Sequence, residues 1–288
     1  MKVHFSIIIP IYNAANTLSA TLESISAQTY PCIEVICIND GSTDRSEKIV
    51  SQWKDKKPEI DLTLLNQENR GLGNARNRGI KKAKHPWVAF LDADDIWLPG
   101  KLSEVANYLS KNQADVIYHG FITFGGKRTR TRSIFPIHSI EDLLIKGNPI
   151  IPSATAVRTA LLLEFPFAED QNIHGAEDFD LWLRLLHAGK TFKLLRAHLT
   201  QYRETGGMSS RISEHLRHVM NVIAKYHELR WFDAAVFQKA THRKNWEAGR
   251  FYHKNGQFEN ALSQYTKAGV LTPKQKLIQA LAKLKIIG

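Results

Sequence analysis

The sequence predicts an α/β domain built on a mostly parallel, Rossmann-like mixed sheet flanked by helices, with a C-terminal helical extension. Three observations lead there. Up to about residue 120, short apolar runs alternate with segments of helical periodicity, the βαβα order of a mostly parallel sheet. Three polar clusters, Tyr12-Asn13, Asn39-Asp40-Gly41 and Asp92 to Asp95, each follow a predicted strand, and such sheets bind ligands at the carboxyl ends of their strands. After Ser209 only helical spacing remains. The domains are therefore drawn at 1–208 and 209–288, the second a basic helical extension.

Taken in order, Phe5–Ile9 is the first strand. Leu18, Leu22 and Ile25 mark a helix capped by Asn16, and Pro31 breaks it before the strand Ile33–Ile38. Asp40-Gly41-Ser42-Thr43-Asp44 is a turn ending in capping residues, ahead of a helix with Ile49, Val50 and Trp53 on one face. Leu62–Leu65 is a short strand, Asn74–Ala83 a helix, and Trp87–Leu91 a buried strand. Leu102, Val105, Ala106 and Leu109 mark the next amphipathic helix. From 126 to 155 the pattern weakens, and Gly125-Gly126 with the basic run Lys127 to Arg132 reads as a mobile loop. Asp178–Leu186 is helical, and Thr191–Leu195 with Leu199–Arg203 reads as a strand pair. Trp246 to Tyr252, then Asn255-Gly256, Ala261, Tyr265, Ala268 and Pro273, resembles one degenerate tetratricopeptide unit. A lone repeat cannot build a solenoid, so a packed helical hairpin is expected. Lys276–Ile287 is amphipathic and suits either a membrane surface or docking on the domain.

Bulk properties narrow the class. At 288 residues the chain can bury a substantial core. No apolar stretch approaches the roughly 20 residues of a membrane-spanning helix. The first apolar run is short and β-branched, unlike a signal peptide, so a cytoplasmic location is expected. Cys32 and Cys37 lack metal spacing and read as buried free thiols. The net charge of +11 invites a nucleic-acid reading, but no aromatic-basic signature accompanies it. A basic surface near phosphates or anionic lipid is the economical reading, with plain solvated charge as the alternative.

The chemistry concentrates where Trp87–Leu91 runs into Asp92, Asp94 and Asp95. Unpaired carboxylates at a strand end are costly, so something positive is expected there, and oxygen ligands suit Mg²⁺ or Mn²⁺. The alternative is an acidic turn with Asp95 capping the next helix. Other motifs tip the balance. Ser6-Ile7-Ile8-Ile9-Pro10-Ile11-Tyr12-Asn13, Val35 to Asp44 with its Asn39-Asp40-Gly41-Ser42 core, Asn69-Arg70-Gly71 with Ala75-Arg76-Asn77-Arg78-Gly79, Phe90 to Asp95, and Glu177-Asp178-Phe179-Asp180-Leu181-Trp182 follow one another at natural spacing. Together, over residues 5 to 205, they resemble the inverting glycosyltransferases of family 2, with the GT-A fold.

The resemblance implies donor-binding positions at Pro10, Tyr12, Asn13, Asp40, Arg76 and Asp92. Tyr12 offers a base an aromatic face, and an ionised Asp40 accepts the imide N–H of uracil, which favours a UDP-sugar. The plain alternatives are a core aromatic and a turn-forming Asp. Arg76, near a helix start, would meet the diphosphate, or else simply lie on the helix surface; Arg78 would meet solvent. Asp94, with Asp92, would hold Mn²⁺ or Mg²⁺, while Asp92 contacts the ribose or metal-bound water. Asp178 would be the catalytic base, and its alternative is a helix N-terminal acid. Glu177 and Asp180 would be structural or orient the acceptor, and Trp182 is either core or a sugar platform. Many family members place a His where Thr205 stands, so Glu204 could substitute as ligand. The acceptor implied is a saccharide or lipid-linked saccharide in cell-surface polysaccharide or glycan synthesis. The basic helices would then allow peripheral contact with the inner membrane face. The rivals are a non-catalytic nucleotide-sugar binder or scaffold, and a nucleotidyltransferase, which would ordinarily show a Gly-rich basic loop where Pro10 to Ala14 stand.

Overall fold

The computed structural model describes residues 2–31, 33–126, 129–132, 134–204, 212–269 and 272–287. The chain divides into two compact units, Met1–His138 with Pro149–Gly207, and Ser139–Asn148 with Met208–Gly288.

In the first unit β1 (Phe5–Ile11), β2 (Ile33–Asp40), β3 (Asp61–Gln67) and β4 (Trp87–Phe90) form the parallel half of one sheet, ordered β3-β2-β1-β4. Helices α1 (Leu18–Ser26), α2 (Ser46–Lys56) and α3 (Leu72–Lys82) make the crossovers. Beyond β4 the sheet turns mixed. β8 (Thr155–Arg158) runs antiparallel between β4 and β6 (Val116–Phe124), and β9 (Phe192–Arg203) lies parallel to β6. The two-residue strands β5 (Ile96–Trp97) and β7 (Arg130–Thr131) pair with β9 and β6. Helices α4 (Lys101–Lys111), α5 (Thr159–Glu164) and α6 (Glu177–His187) complete the unit.

The alternation of β1 explains its two faces. Phe5, Ile7, Ile9 and Ile11 join Leu18, Leu22 and Ile25 of α1 and Val50 and Trp53 of α2 in one buried cluster. Ile8 meets α3 on the other face, where Gly79 is needed: a Cβ there would lie 2.8 Å from Ile8 and Ile38 side-chain carbons. Each such buried aliphatic side chain contributes about 1.5–3 kcal/mol.

Three local expectations change. The proposed strand pair at 191–203 is a single strand, β9. Its irregularity is a bulge, since Leu195 pairs with His119 but His198 pairs with Gly120 and Thr200 with Phe121. A Cβ on Gly120 would sit 2.5 Å from the His198 ring, so the glycine makes room for the bulge. The cap position of α1 is Thr17, not Asn16, and its hydroxyl donates to the Ala93 carbonyl at 2.9 Å instead of capping the helix. Within the expected loop 126–155, Arg130–Thr131 pairs with β6, and Pro152–Ala154 forms a 3₁₀ turn. Lys127 and Arg128 lie outside the described residues, as does Cys32. Cys37 is buried, which pushes its thiol up to about 12.

The second unit contains α7 (Ile212–Glu228), α8 (Ala234–Lys254), α9 (Phe258–Ala268) and α10 (Pro273–Ile287). Its core joins Ala248, Tyr252, Ala261, Tyr265 and Ala282. A Cβ on Gly249 would meet the Tyr265 ring at 2.4 Å, so α8 and α9 approach closely there. The π turn Asp142–Lys146 belongs to this unit, and Arg243 donates to its Ile145 carbonyl at 3.0 Å. Among the described residues no helix is long and apolar enough to cross a membrane.

Candidate active site

The parallel register sets the ends of β1, β2 and β3 side by side, with Ile11 opposite Asn39 and Asn39 opposite Asn66. The loops beyond are laced together. Asn13 adopts φ +49, a left-handed conformation that Asn tolerates. Its Oδ1 accepts from Thr43 N at 2.8 Å, and its own N–H donates to Ser42 Oγ at 3.0 Å. Tyr12 stands beside it, 54% exposed, which removes the core-aromatic alternative. Pro10 is buried inside β1.

Asp40 ends β2 and is 4% exposed. Its Oδ1 accepts from Arg70 N at 2.8 Å and Gln67 Nε2 at 2.7 Å, and its Oδ2 accepts from Gly71 N at 2.9 Å. The carboxylate thus serves amides at the start of α3, groups that the helix itself leaves without partners. A carboxylate offers about four acceptor positions, and donors among the described residues fill three of them. Gly41 at φ +72 permits this approach, because a Cβ would lie 2.7 Å from Asn69 N. Arg78, expected in solvent, donates to the Asn66 carbonyl at 2.6 Å.

Arg76 differs from expectation. It projects from α3 into the interior, 1% exposed, rather than along the helix surface or toward an open diphosphate site. Nη2 meets Asp92 Oδ1 at 2.8 Å, Nη1 meets Glu177 Oε1 at 3.0 Å, and the guanidinium lies 5.2 Å from the Phe167 ring centroid. Burial opposes its charge, but Asp92 and then Glu177 hold its pKa above the usual value. Both terminal nitrogens are committed, so Arg76 ties the strand-end acids to the start of α6.

Around that clamp the acids divide into paired and unpaired. Asp92, its side chain 25% exposed, pairs with Arg76, and its backbone N–H donates to Ser153 Oγ at 3.0 Å. Asp94 has no side-chain donor among the described residues. Burial first, and Asp92 second, push it up to about 6. Asp95 is 1% exposed and accepts from Arg203 N at 2.9 Å, a structural tie to β9. Burial, then Asp92 and Asp94, push its carboxyl well up, while burial pushes Lys101 well down. Lys101 Nζ donates to the Ser153 carbonyl at 2.7 Å and lies 3.7 Å from the Trp97 ring centroid.

At the start of α6, Glu177 also accepts from Gly175 N at 2.6 Å. Among the described residues Asp178 accepts from Phe179 N, at 2.7 Å; burial first, then Glu177, push it up to about 7. Asp180 pairs with Arg184 at 2.8 Å. Trp182 is fully buried and packs edge-on to Phe192, so it is core and not a sugar platform.

Asp92 and Asp94 fit a hard divalent cation: their donors are oxygens, and Asp94 is a poorly compensated acid beside another acid. Among the described residues no three His, Cys, Asp or Glu side chains converge. Glu204, the substitute ligand expected from sequence, is instead paired with Arg132 at 2.8 Å. Thr205 lies outside the described residues. Sequence reasoning missed Ser153 and Arg203. Ser153 sits in the 3₁₀ turn, and its carbonyl gathers Trp97 Nε1, Lys101 Nζ and Thr200 Oγ1 within 2.9 Å. Nothing in the linear pattern marks it. Arg203, whose Nε donates to the Asp94 carbonyl at 3.0 Å, follows Tyr202 in a recognisable Tyr-Arg pair. A cavity of about 730 Å³ in the helical unit, beside Phe237 and Trp246, holds none of these acids.

The profile of the family described as Glycosyl transferase family 2 matches residues 6–160, more than half of the chain. An uncharacterized glycosyltransferase of Rickettsia typhi is 33% identical over 195 residues, 65% of this chain and 60% of the relative. The Escherichia coli protein WfgD, named a UDP-Glc:alpha-D-GlcNAc-diphosphoundecaprenol beta-1,3-glucosyltransferase, is 33% identical over 63% of this chain and 69% of its own. The match thus spans less than two thirds of the Rickettsia relatives, from 60% in that of Rickettsia typhi to 31% in that of Rickettsia felis. Among solved structures, Staphylococcus aureus TarS 1–349 in complex with UDP-GlcNAc superposes with TM-score 0.65 at 19% identity, covering 99% of this chain and 88% of that one. The mannosyltransferase PcManGT of Pyrobaculum calidifontis, in complex with GDP-Man and Mn²⁺, gives TM-score 0.65 at 20% identity, covering 100% and 87%. Sequence profile, relatives and architecture agree: the chain belongs to glycosyl transferase family 2 and has the GT-A fold.

Proposed function

We propose that this chain transfers a sugar, with inversion, from a nucleoside diphosphate donor to a hydroxyl of a saccharide or lipid-linked acceptor. UDP is the first carrier to try. The observation behind this reading is the Arg76 clamp, which neutralises one acid at each of two sites and leaves its neighbour, Asp94 or Asp178, with a raised pKa. A binding-only scaffold has no use for the second of these.

Each residue then has a task. Tyr12 gives the base an aromatic face, and the remaining acceptor position of Asp40 takes an imide N–H. Asn13 holds the loop after β1 against Ser42 and Thr43, fixing where Tyr12 stands. Asp94 and the free side of Asp92 would hold Mn²⁺ or Mg²⁺, which when bound stabilises charge on the departing diphosphate. Asp178, at about 7, is poised to accept the acceptor hydroxyl's proton near neutral pH as that oxygen attacks the anomeric carbon. We assign Arg76 and Glu177 as positioning residues. WfgD's name, with its UDP-glucose donor and diphosphoundecaprenol-linked acceptor, supports a similar pair of substrates, a nucleotide sugar and a lipid-linked saccharide.

Titration calorimetry with UDP, with GDP as the control, in the presence and absence of Mn²⁺ tests the donor site. The expected result is Mn²⁺-dependent UDP binding that Asp94→Ala weakens by roughly a hundredfold, the upper range for losing a metal-site group. Equal UDP affinity with and without metal would remove the metal assignment. Binding of GDP alone would remove the UDP one.

A further inference from the structure

Helix α10 has two apolar faces, and among the described residues one of them is buried in its own unit. Ala282 is buried with Tyr252, Ala261 and Tyr265, and Ile278 packs against that cluster. Leu277, Leu281 and Leu284 are 62%, 49% and 65% exposed. Their i, i+4, i+7 spacing puts them in one stripe about 60° wide. Lys274 and Lys285 border the stripe on one side, and Lys276 and Lys283 stand on the other. The sequence from residue 260 to its end contains no Asp or Glu.

We propose that this face of α10 seats on an anionic lipid surface. The leucines would enter the headgroup–acyl boundary while the lysine ammonium groups meet lipid phosphates, their stems lying along the apolar surface. Charge complementarity selects this occupant. Lysines near an anionic leaflet are attracted to it, whereas a neutral bilayer offers only the leucines' burial. A second copy of the chain is the poorer partner, because stripe-to-stripe pairing would set lysines against lysines. The proposal rests on the helix alone; if the acceptor reading also holds, this surface brings the enzyme to its lipid-linked substrate.

Flotation of the full chain with vesicles tests it, comparing phosphatidylcholine alone with phosphatidylcholine containing phosphatidylglycerol. Binding is expected only to the anionic vesicles, weakening severalfold between roughly 0.1 and 0.5 M salt. The triple variant Leu277→Gln, Leu281→Gln, Leu284→Gln, altered only at exposed positions, should bind at least about tenfold more weakly. Its melting temperature and UDP affinity should match the parent's, which separates loss of the membrane surface from failure of the donor reading. No flotation of the parent chain, or equal flotation of the variant, would overturn the proposal. So would self-association seen by light scattering that the variant abolishes while vesicles bind neither form.

Discussion

The strand-end acids Asp92-Ala93-Asp94 and the helix-start acids Glu177-Asp178 are built alike. In each, one carboxylate is held by Arg76, at 2.8 Å for Asp92 and 3.0 Å for Glu177, and the other forms no salt bridge among the described residues. The unpaired members rise for the same reasons, burial and then the neighbouring acid, but to different degrees: about 6 for Asp94 and about 7 for Asp178. Asp94 also feels Arg203, whereas Asp178 draws on Arg76, a cation already shared between two other carboxylates. The difference suits two tasks. A cation ligand needs to be ionised through the neutral range, while a general base works best with its pKa near the working pH.

The harshest way to break the parallel is Asp178→Asn. It should cut kcat by about 10³-fold while leaving UDP affinity unchanged, checked by turnover and calorimetry side by side. An equal loss in UDP binding would mean that both acids serve the donor. Next comes Arg76→Met, which strands two carboxylates against a buried apolar side chain. A loss of about 3–5 kcal/mol in denaturant unfolding is expected, with Glu177→Gln partly rescuing it.

A smaller effect sharpens the electrostatics. Ionised Asp178 is the active form, so kcat/KM should fall as pH drops through about 7. Glu177→Gln removes an adjacent negative charge and should move that limb to lower pH. An unmoved limb would assign it to another group. The smallest effect concerns stability. A carboxyl whose folded pKa exceeds its unfolded value favours folding fully below the unfolded pKa, near 4, and loses that contribution as pH rises through the folded pKa. Asp178→Asn should therefore unfold later than the parent at pH 8, by about 1–2 kcal/mol after allowance for its partial exposure. That gain should vanish by about pH 4, read from urea midpoints at both pH values.

The parallel half of the sheet was legible because β1, β2 and β4 are near-continuous apolar runs, broken inside only by Ser6 and Glu34, and are almost wholly buried. The mixed half was not. β9 alternates weakly, and its bulge at His198 interrupts the pattern, so one strand reads as two. The candidate site divides in the same way. Asp92, Asp94 and Asp178 stand in short motifs whose chemistry is local. Ser153 has no such motif, since its importance comes from the donors that converge on its carbonyl from Trp97, Lys101 and Thr200.

The sequence by itself determined the fold class, the strand ends where polar residues gather, and which acids stand next to one another. It could do so because strand and helix periodicity, turn chemistry and adjacent charges are properties of neighbouring residues. Only the tertiary structure decided which acid is neutralised. Arg76 lies 16 residues from Asp92 and 101 from Glu177, and burial of Arg76 and Glu177 beside the partly exposed Asp92 turns a basic side chain on α3 into the clamp between two sites. Desolvation depends on what packs around a group, and that packing is set by residues distant in the chain.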